Sequence, residues 1–247
     1  MDTAAHLDAL RTDGALLAAA ARRAGVEAVV PACPGWQVSD LLVHTAKVFR
    51  HKTHVLAHRL TERPSGSDWN VDDPAPVEAP AFFDAELEAL LAALGAADPA
   101  QRVWTFAPDD QTVAFWYRRM AHEAAVHRVD AQAAGGPPGT VPPELAVDGL
   151  DEALDLFLAA RLGAGTLDGP EATVHLHATD AEGEWLVHLG PDGLDVERGH
   201  AKGDAAGRGT ASDLLLWLWG RVPLDRLEVF GDADALARLR AAAATVT

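Results

Sequence analysis

The sequence predicts an all-α four-helix bundle followed by a smaller α+β domain. Three observations carry that expectation. Apolar residues recur at helical spacing through most of the first 134 residues with no strand-like run between them. A Gly- and Pro-dense stretch, GGPPGTVPPE (135–144), then interrupts the chain. Beyond it, three segments alternate every second residue and are separated by Gly-containing turns. The expected domains are 1–136 and 145–247.

The first helix is read over Asp2–Ala24, with Leu7, Leu10, Ala15, Leu17 and Ala21 on its apolar face and Gly25 as its stop. PACPGW (31–36) is a turn. A long helix follows over Gln37–Leu60, where apolar pairs at 41/42, 48/49 and 55/56 lie seven residues apart and mark one face. Asp40 in its first turn favours the positive end of the helix dipole. Residues 61–80 hold four prolines and five acids without a period. A connection of that length is expected to be mobile or functional, for example a lid. Further helices are expected over Phe82–Ala97 and Thr112–Ala134. Four helices without an intervening strand make a bundle.

After the linker a helix is read over Val147–Leu162, then strands at 173–180, 184–190 and 193–199. A helix over Ser212–Gly220 has Thr210 as N-cap, with Asp213 three residues on. LEVFG (227–231) is read as a buried strand, and Asp232 caps a last helix ending at Ala243.

Composition narrows the function. The formal net charge of −17 repels phosphate backbones and argues against nucleic acid as a partner. Cys33 is the single cysteine and cannot form an internal disulfide. The most apolar late stretch, 214–219, is far shorter than the roughly 20 residues of a membrane span. The expectation is a cytoplasmic protein that engages neither membrane nor nucleic acid, as a monomer or homodimer.

The chemistry-bearing residues cluster on two helices. Glu123 and His127 are spaced i, i+4, which puts a carboxylate and an imidazole on one face, able to share a metal ion. The string H-E-x-x-x-H is one residue too long for the zincin motif: His122 and His127 sit about 140° apart around the axis. A third ligand must come from a facing helix. His44, His51 and His58 recur at seven-residue intervals along the border of the buried stripe, whereas His54 points more toward solvent, and one of the three is the expected partner. Two imidazoles and one carboxylate leave coordination positions open, as in catalytic zinc, and also suit Fe(II). Arg128 and Asp130 are assigned to cofactor binding, Asp130 as a hydrogen-bond partner to a ligand or to the cofactor. An i, i+4 Glu/His pair on an exposed helix does nothing beyond a weak local interaction, and that plain alternative stands beside the metal reading. Cys33 is read as a tolerated thiol rather than a nucleophile, the aromatics at 104, 106, 115 and 116 as core, and Arg221 as a cation at a helix end.

PACPGWQVSDLLVHTA (31–46), FWYRRMAHEAAVHRVDAQ (115–132), LLLWLWGR (214–221) and LEVFGD (227–232) together resemble the mycothiol-dependent maleylpyruvate isomerase family over essentially the whole chain. The resemblance rests most on W-x-V-x-D-L-x-x-H and R-R-M-A-H-E-x-x-x-H-R-x-D. It implies a DinB-like zinc-holding bundle and a C-terminal domain resembling sterol carrier proteins. It places the zinc ligands on His44, Glu123 and His127. The family's important second-domain arginine, which approaches the metal, corresponds to Arg221, the expected catalytic residue. Gln37 stands where the family commonly has Thr or Ser.

The implied cofactors are Zn2+, or another divalent metal, and mycothiol as thiol cosubstrate; the substrate is a small electrophile. Coordination to the cation holds the sulfur as thiolate. For an isomerase, the thiolate adds to the double bond of a cis-enedioate, the former double bond rotates, and elimination regenerates the thiol. For an S-transferase the adduct leaves. Arg221, with Arg128 or Arg119, would stabilise the developing enolate. The competing readings are a non-catalytic metal- or thiol-binding regulatory module and a metal-dependent hydrolase using zinc-bound water.

Overall fold

Helix α1 (Thr3–Ala24) starts at Asp2, whose carboxylate accepts from the Ala5 N–H at 2.8 Å, and stops at Gly25, where φ is 88°. Helix α2 (Val38–Ala57) starts at Gln37. Gln37 offers no side-chain cap, and the Asp40 carboxylate instead accepts from the Gln37 N–H at 2.8 Å. The PACPGW turn between them closes through hydrogen bonds from Cys33 N–H to the Val30 carbonyl and from Trp36 N–H to the Cys33 carbonyl. Gly35 takes φ 84° there, a left-handed conformation that glycine adopts without a Cβ clash.

This computed structural model describes residues 1–163 and 169–245. The chain divides into two units, Met1–Gly139 and Thr140–Thr247. In the first, α1, α2, α4 (Ala79–Ala96) and α5 (Val113–Gly135) pack so that α1 and α2 each touch both α4 and α5. Leu10, Leu17, Leu41, Leu42, Phe49, Leu90, Leu94 and Trp116 are fully buried between them. Trp104, Phe106 and Phe115 stack with or beside Trp116, as core aromatics do.

The 61–80 connection carries a single helical turn, α3 (Gly66–Trp69), and a short 3-10 turn, Pro76–Glu78. It is tied onto α2. Arg50 Nε donates to the Trp69 carbonyl at 2.9 Å, Lys47 pairs with Asp73, and the Trp69 ring meets His51 edge-on with centroids 4.6 Å apart.

The second unit opens with α6 (Pro143–Asp151), four residues earlier than its apolar pattern suggests, because Pro143 at the first helical position needs no N–H partner. A π-helical segment, Glu152–Ala159, continues it. The sheet has five strands, β1 (Ala172–Ala178), β2 (Glu184–Gly190), β3 (Gly193–Arg198), β4 (Ala205–Gly209) and β5 (Glu228–Gly231), in the order β3-β2-β1-β4-β5. β1, β2 and β3 pair antiparallel, whereas β4 runs parallel to β1. The helices are α7 (Ala211–Leu218), capped by the Thr210 hydroxyl accepting from Asp213 N–H at 3.0 Å, and α8 (Ala233–Ala243), capped by Asp232.

Two expectations need correction. β4 reads AAGRG and carries no large apolar residue to alternate, so it escapes a pattern search. Its small residues are what the site requires, since a Cβ on Gly207 would meet Leu236 of α8 at 3.3 Å. LEVFG is not a buried strand. β5 is the sheet edge, paired with β4 alone among the described strands, and although Leu227 is buried Phe230 is 56% exposed.

Candidate metal centre

One face of α2 and one face of α5 bring His44, Glu123 and His127 together. One donor atom from each lies within 4.8 Å of the other two. His44 Nε2 is 3.6 Å and His127 Nε2 3.4 Å from Glu123 Oε1, and the two imidazole rings meet nearly perpendicular with centroids 5.3 Å apart. The i, i+4 spacing aligns Glu123 with His127, and His44 comes across from α2. Their exposures differ: the His44 side chain is 42% exposed, Glu123 14% and His127 12%. The cluster is thus walled by protein except on the His44 side.

Neighbours fix the two buried groups. Arg119, one turn before Glu123, donates to its Oε2 and leaves Oε1 turned toward the histidines. Asp130, fully buried, sits 2.9 Å from His127 Nδ1, which directs Nε2 at Glu123. Burial alone would raise the Glu123 carboxyl, but the contacts with His127 and His44 and the Arg119 charge outweigh it and hold it well below the usual carboxylate range. Burial alone would lower His127. Its bonds to Asp130 and Glu123 outweigh that and push it up to about 9. Two imidazoles, an ionised carboxylate and a carboxylate behind one imidazole suit a borderline divalent cation such as Zn2+.

The other histidines of α2 and α5 have different neighbours. His51 is buried between the rings of Trp69 and Trp104, and burial together with the nearby Lys52 charge pushes it down to about 4. His58 is the exposed cap residue beyond the end of α2, so it does not border the buried stripe as expected; His54, expected to face solvent more than the other three, is the more covered of the two. His122 is buried and meets His6 of α1 with ring centroids 6.0 Å apart, on a different face from His127. Arg128 is also buried, paired with Asp13 of α1 at 2.6 Å and with Gln132 at 2.9 Å. In the second unit, Arg221 donates to the Trp219 carbonyl at 2.6 Å.

Pattern reading overlooks two neighbours. Trp36 packs against His44 with ring centroids 5.0 Å apart, placed there by the PACPGW turn. Cys33 Sγ lies 3.8 Å from Asp130 Oδ2. The Arg119–Glu123 contact is visible in the sequence as another i, i+4 spacing on α5, although there Arg119 enters only as a cation for the enolate.

A helical unit presenting two histidines and a glutamate at one point, joined to a five-stranded α+β unit, defines the class of protein. The family model described as the mycothiol maleylpyruvate isomerase N-terminal domain matches residues 7–132, and the one described as the MDMPI C-terminal domain matches 144–238. The chain belongs to the mycothiol maleylpyruvate isomerase family. Among solved structures it is similar to a crystal structure of the mycothiol-dependent maleylpyruvate isomerase, with a TM-score of 0.67 and 13% identity over 93% of each chain. A histidine-to-alanine mutant of that enzyme matches at a TM-score of 0.65 and 12% identity, again over 93% of each chain. No curated protein matches the sequence significantly. No helix among the described residues is long and apolar enough to cross a membrane.

Proposed function

We propose that the protein is a metal- and mycothiol-dependent enzyme in which a thiol sulfur attacks a small electrophile, as a maleylpyruvate-isomerase-like cis–trans isomerase or a mycothiol S-transferase. The observation that supports this most is the convergence of His44, Glu123 and His127 in a chain of this family. These three residues would hold the cation. When bound, a divalent cation supplies the positive charge that deprotonates a thiol near neutral pH.

The chain's own residues do the rest. Asp130 holds the His127 ring and Arg119 holds the Glu123 carboxylate, so the donor set is oriented before any ligand arrives. The exposed side of His44 leaves the thiol its approach, and Trp36 beside it covers part of that approach with an apolar ring. The resemblance adds Arg221 as the cation that stabilises an enolate on the substrate.

Thiol dependence distinguishes this reading from a hydrolase. Mycothiol should raise the thermal midpoint of the metal-loaded protein and leave the chelated protein unchanged, because a ligand stabilises only the state it binds. An equal shift in both forms would contradict sulfur binding at the metal.

A further inference from the structure

The second unit holds another group of metal-ligating side chains. We propose that His175, His177, Glu184 and His200 form a second, closed binding site for a divalent cation of the Zn2+ kind. The H-x-H spacing on β1 puts His175 and His177 on one face of the sheet. Glu184 at the start of β2 pairs in register with His177 and lies diagonally from His175. Together with His200, the four residues each offer a donor atom within 4.8 Å of all the others.

The donors lie close enough together to converge on one ion, the two shortest separations being hydrogen-bond lengths that would open as it entered. Tetrahedral zinc with bonds near 2.0–2.1 Å separates its ligand atoms by about 3.3 Å. Here Glu184 Oε2 is 2.9 Å from His175 Nε2 and 2.6 Å from His200 Nδ1, and Glu184 Oε1 is 3.4 Å from His177 Nδ1. The His175 ring stands perpendicular to that of His200, with centroids 5.4 Å apart, and nearly perpendicular to that of His177 at 6.0 Å. Three imidazoles gather on the one Glu184 carboxylate, and a four-coordinate cation would use all four side chains.

The backbone is built to return His200 to this point. Gly199 takes φ 144°, in the region that favours glycine, and its N–H donates to the Glu184 carbonyl at 2.9 Å. At the far end of the same loop, a Cβ on Gly203 would meet the backbone of β1, at 3.0 Å from both His175 N and the Thr173 carbonyl oxygen. Asp204 accepts from the Thr173 N–H at 2.8 Å and hydroxyl at 2.7 Å. The His200 loop is therefore anchored to β2 on one side and β1 on the other. The His175 side chain is only 9% exposed, whereas His200 is 79% exposed and covers the cluster from outside. Four protein donors leave no open position, so the cation would clamp β1, β2 and the loop together rather than take part in a reaction.

The test counts zinc on the full-length chain. Chelated wild type, His44→Ala, His200→Ala and the double variant are dialysed against Zn2+, bound metal per chain is measured by mass spectrometry, and circular dichroism checks the fold. Wild type should bind two ions and His44→Ala one. Adding His200→Ala to His44→Ala should weaken the remaining ion by at least roughly the 10–100-fold typical of losing a supporting residue. Because His200 is exposed, its replacement leaves the fold intact. A His44→Ala chain that binds no zinc, or one whose zinc is held equally well with and without His200, overturns the proposal. Failure of His44→Ala to remove any metal counts against the proposed function alone, since the His200 comparison still decides the second site.

Discussion

His127 is held as an imidazolium when no metal is present. Its value near 9 lies above the ordinary histidine value, so its contribution to the stability of the metal-free protein is complete below about pH 6.5 and is lost as pH rises through about 9. Glu123 is displaced the other way, and its contribution is present above the ordinary carboxylate value and lost as pH falls through its lowered one. A cation must expel the His127 proton in order to bind. Zinc binding at pH 7 should therefore release a proton, and its affinity should rise with pH up to about 9 and then level off. Calorimetry in two buffers of different ionisation enthalpy measures this, and a heat independent of buffer would contradict it. Arg221 carries a second prediction. If it stabilises the enolate, Arg221→Ala should lower kcat by about 10²-fold, the low end for losing an electrostatic stabiliser, with metal content unchanged. Wild-type turnover would remove it from the reaction. Among single residues, Glu123 and His127 were legible from spacing alone. His44 was not separable from His51 and His58 by periodicity, because all three share one heptad position. What separates them is Trp69, which comes from an aperiodic connection and closes over His51, and the end of α2 before His58.

The helices carrying the cluster are set by pairs that composition does not reveal. Arg128 and Asp13 form a buried ion pair between α5 and α1, with side chains 5% and 6% exposed. Removing one partner of such a pair leaves the other charge buried and unpaired. Arg128→Ala should cost about 3–5 kcal/mol in urea unfolding of the chelated protein. A loss below about 1 kcal/mol, the range of exposed pairs, would show that the pair is solvated. Most helices are legible to within a few residues because each has an apolar face, and three of them also carry a side-chain cap: Asp2, Thr210 and Asp232 accept backbone N–H groups. β1, β2 and β3 were legible from alternation. β4 was not, since its strand character comes from neighbours on both sides rather than from its own side chains. The exposure of β5 was also missed, because an edge strand and a central one can share the same short apolar run.

Two units with different architectures lie in one acidic chain, and the family models match a stretch within each. The order of the units followed from the helical spacing, the Gly- and Pro-dense linker and the later alternation, and the identity of the family from separated motifs, W-x-V-x-D-L-x-x-H and R-R-M-A-H-E-x-x-x-H-R-x-D, which fold to opposite sides of one cluster. The four donors of the second unit were not legible. They are spread over two strands and a loop, and only the register of β1 against β2 and the turn at Gly199 gather them.

His44, Glu123 and His127 should bind a cation that accepts sulfur from mycothiol. Zinc X-ray absorption of the loaded His200→Ala protein, with and without mycothiol, tests it most directly. Only nitrogen and oxygen neighbours are expected before addition, and one sulfur neighbour at about 2.3 Å afterwards. An unchanged nitrogen and oxygen shell at saturating mycothiol would contradict it.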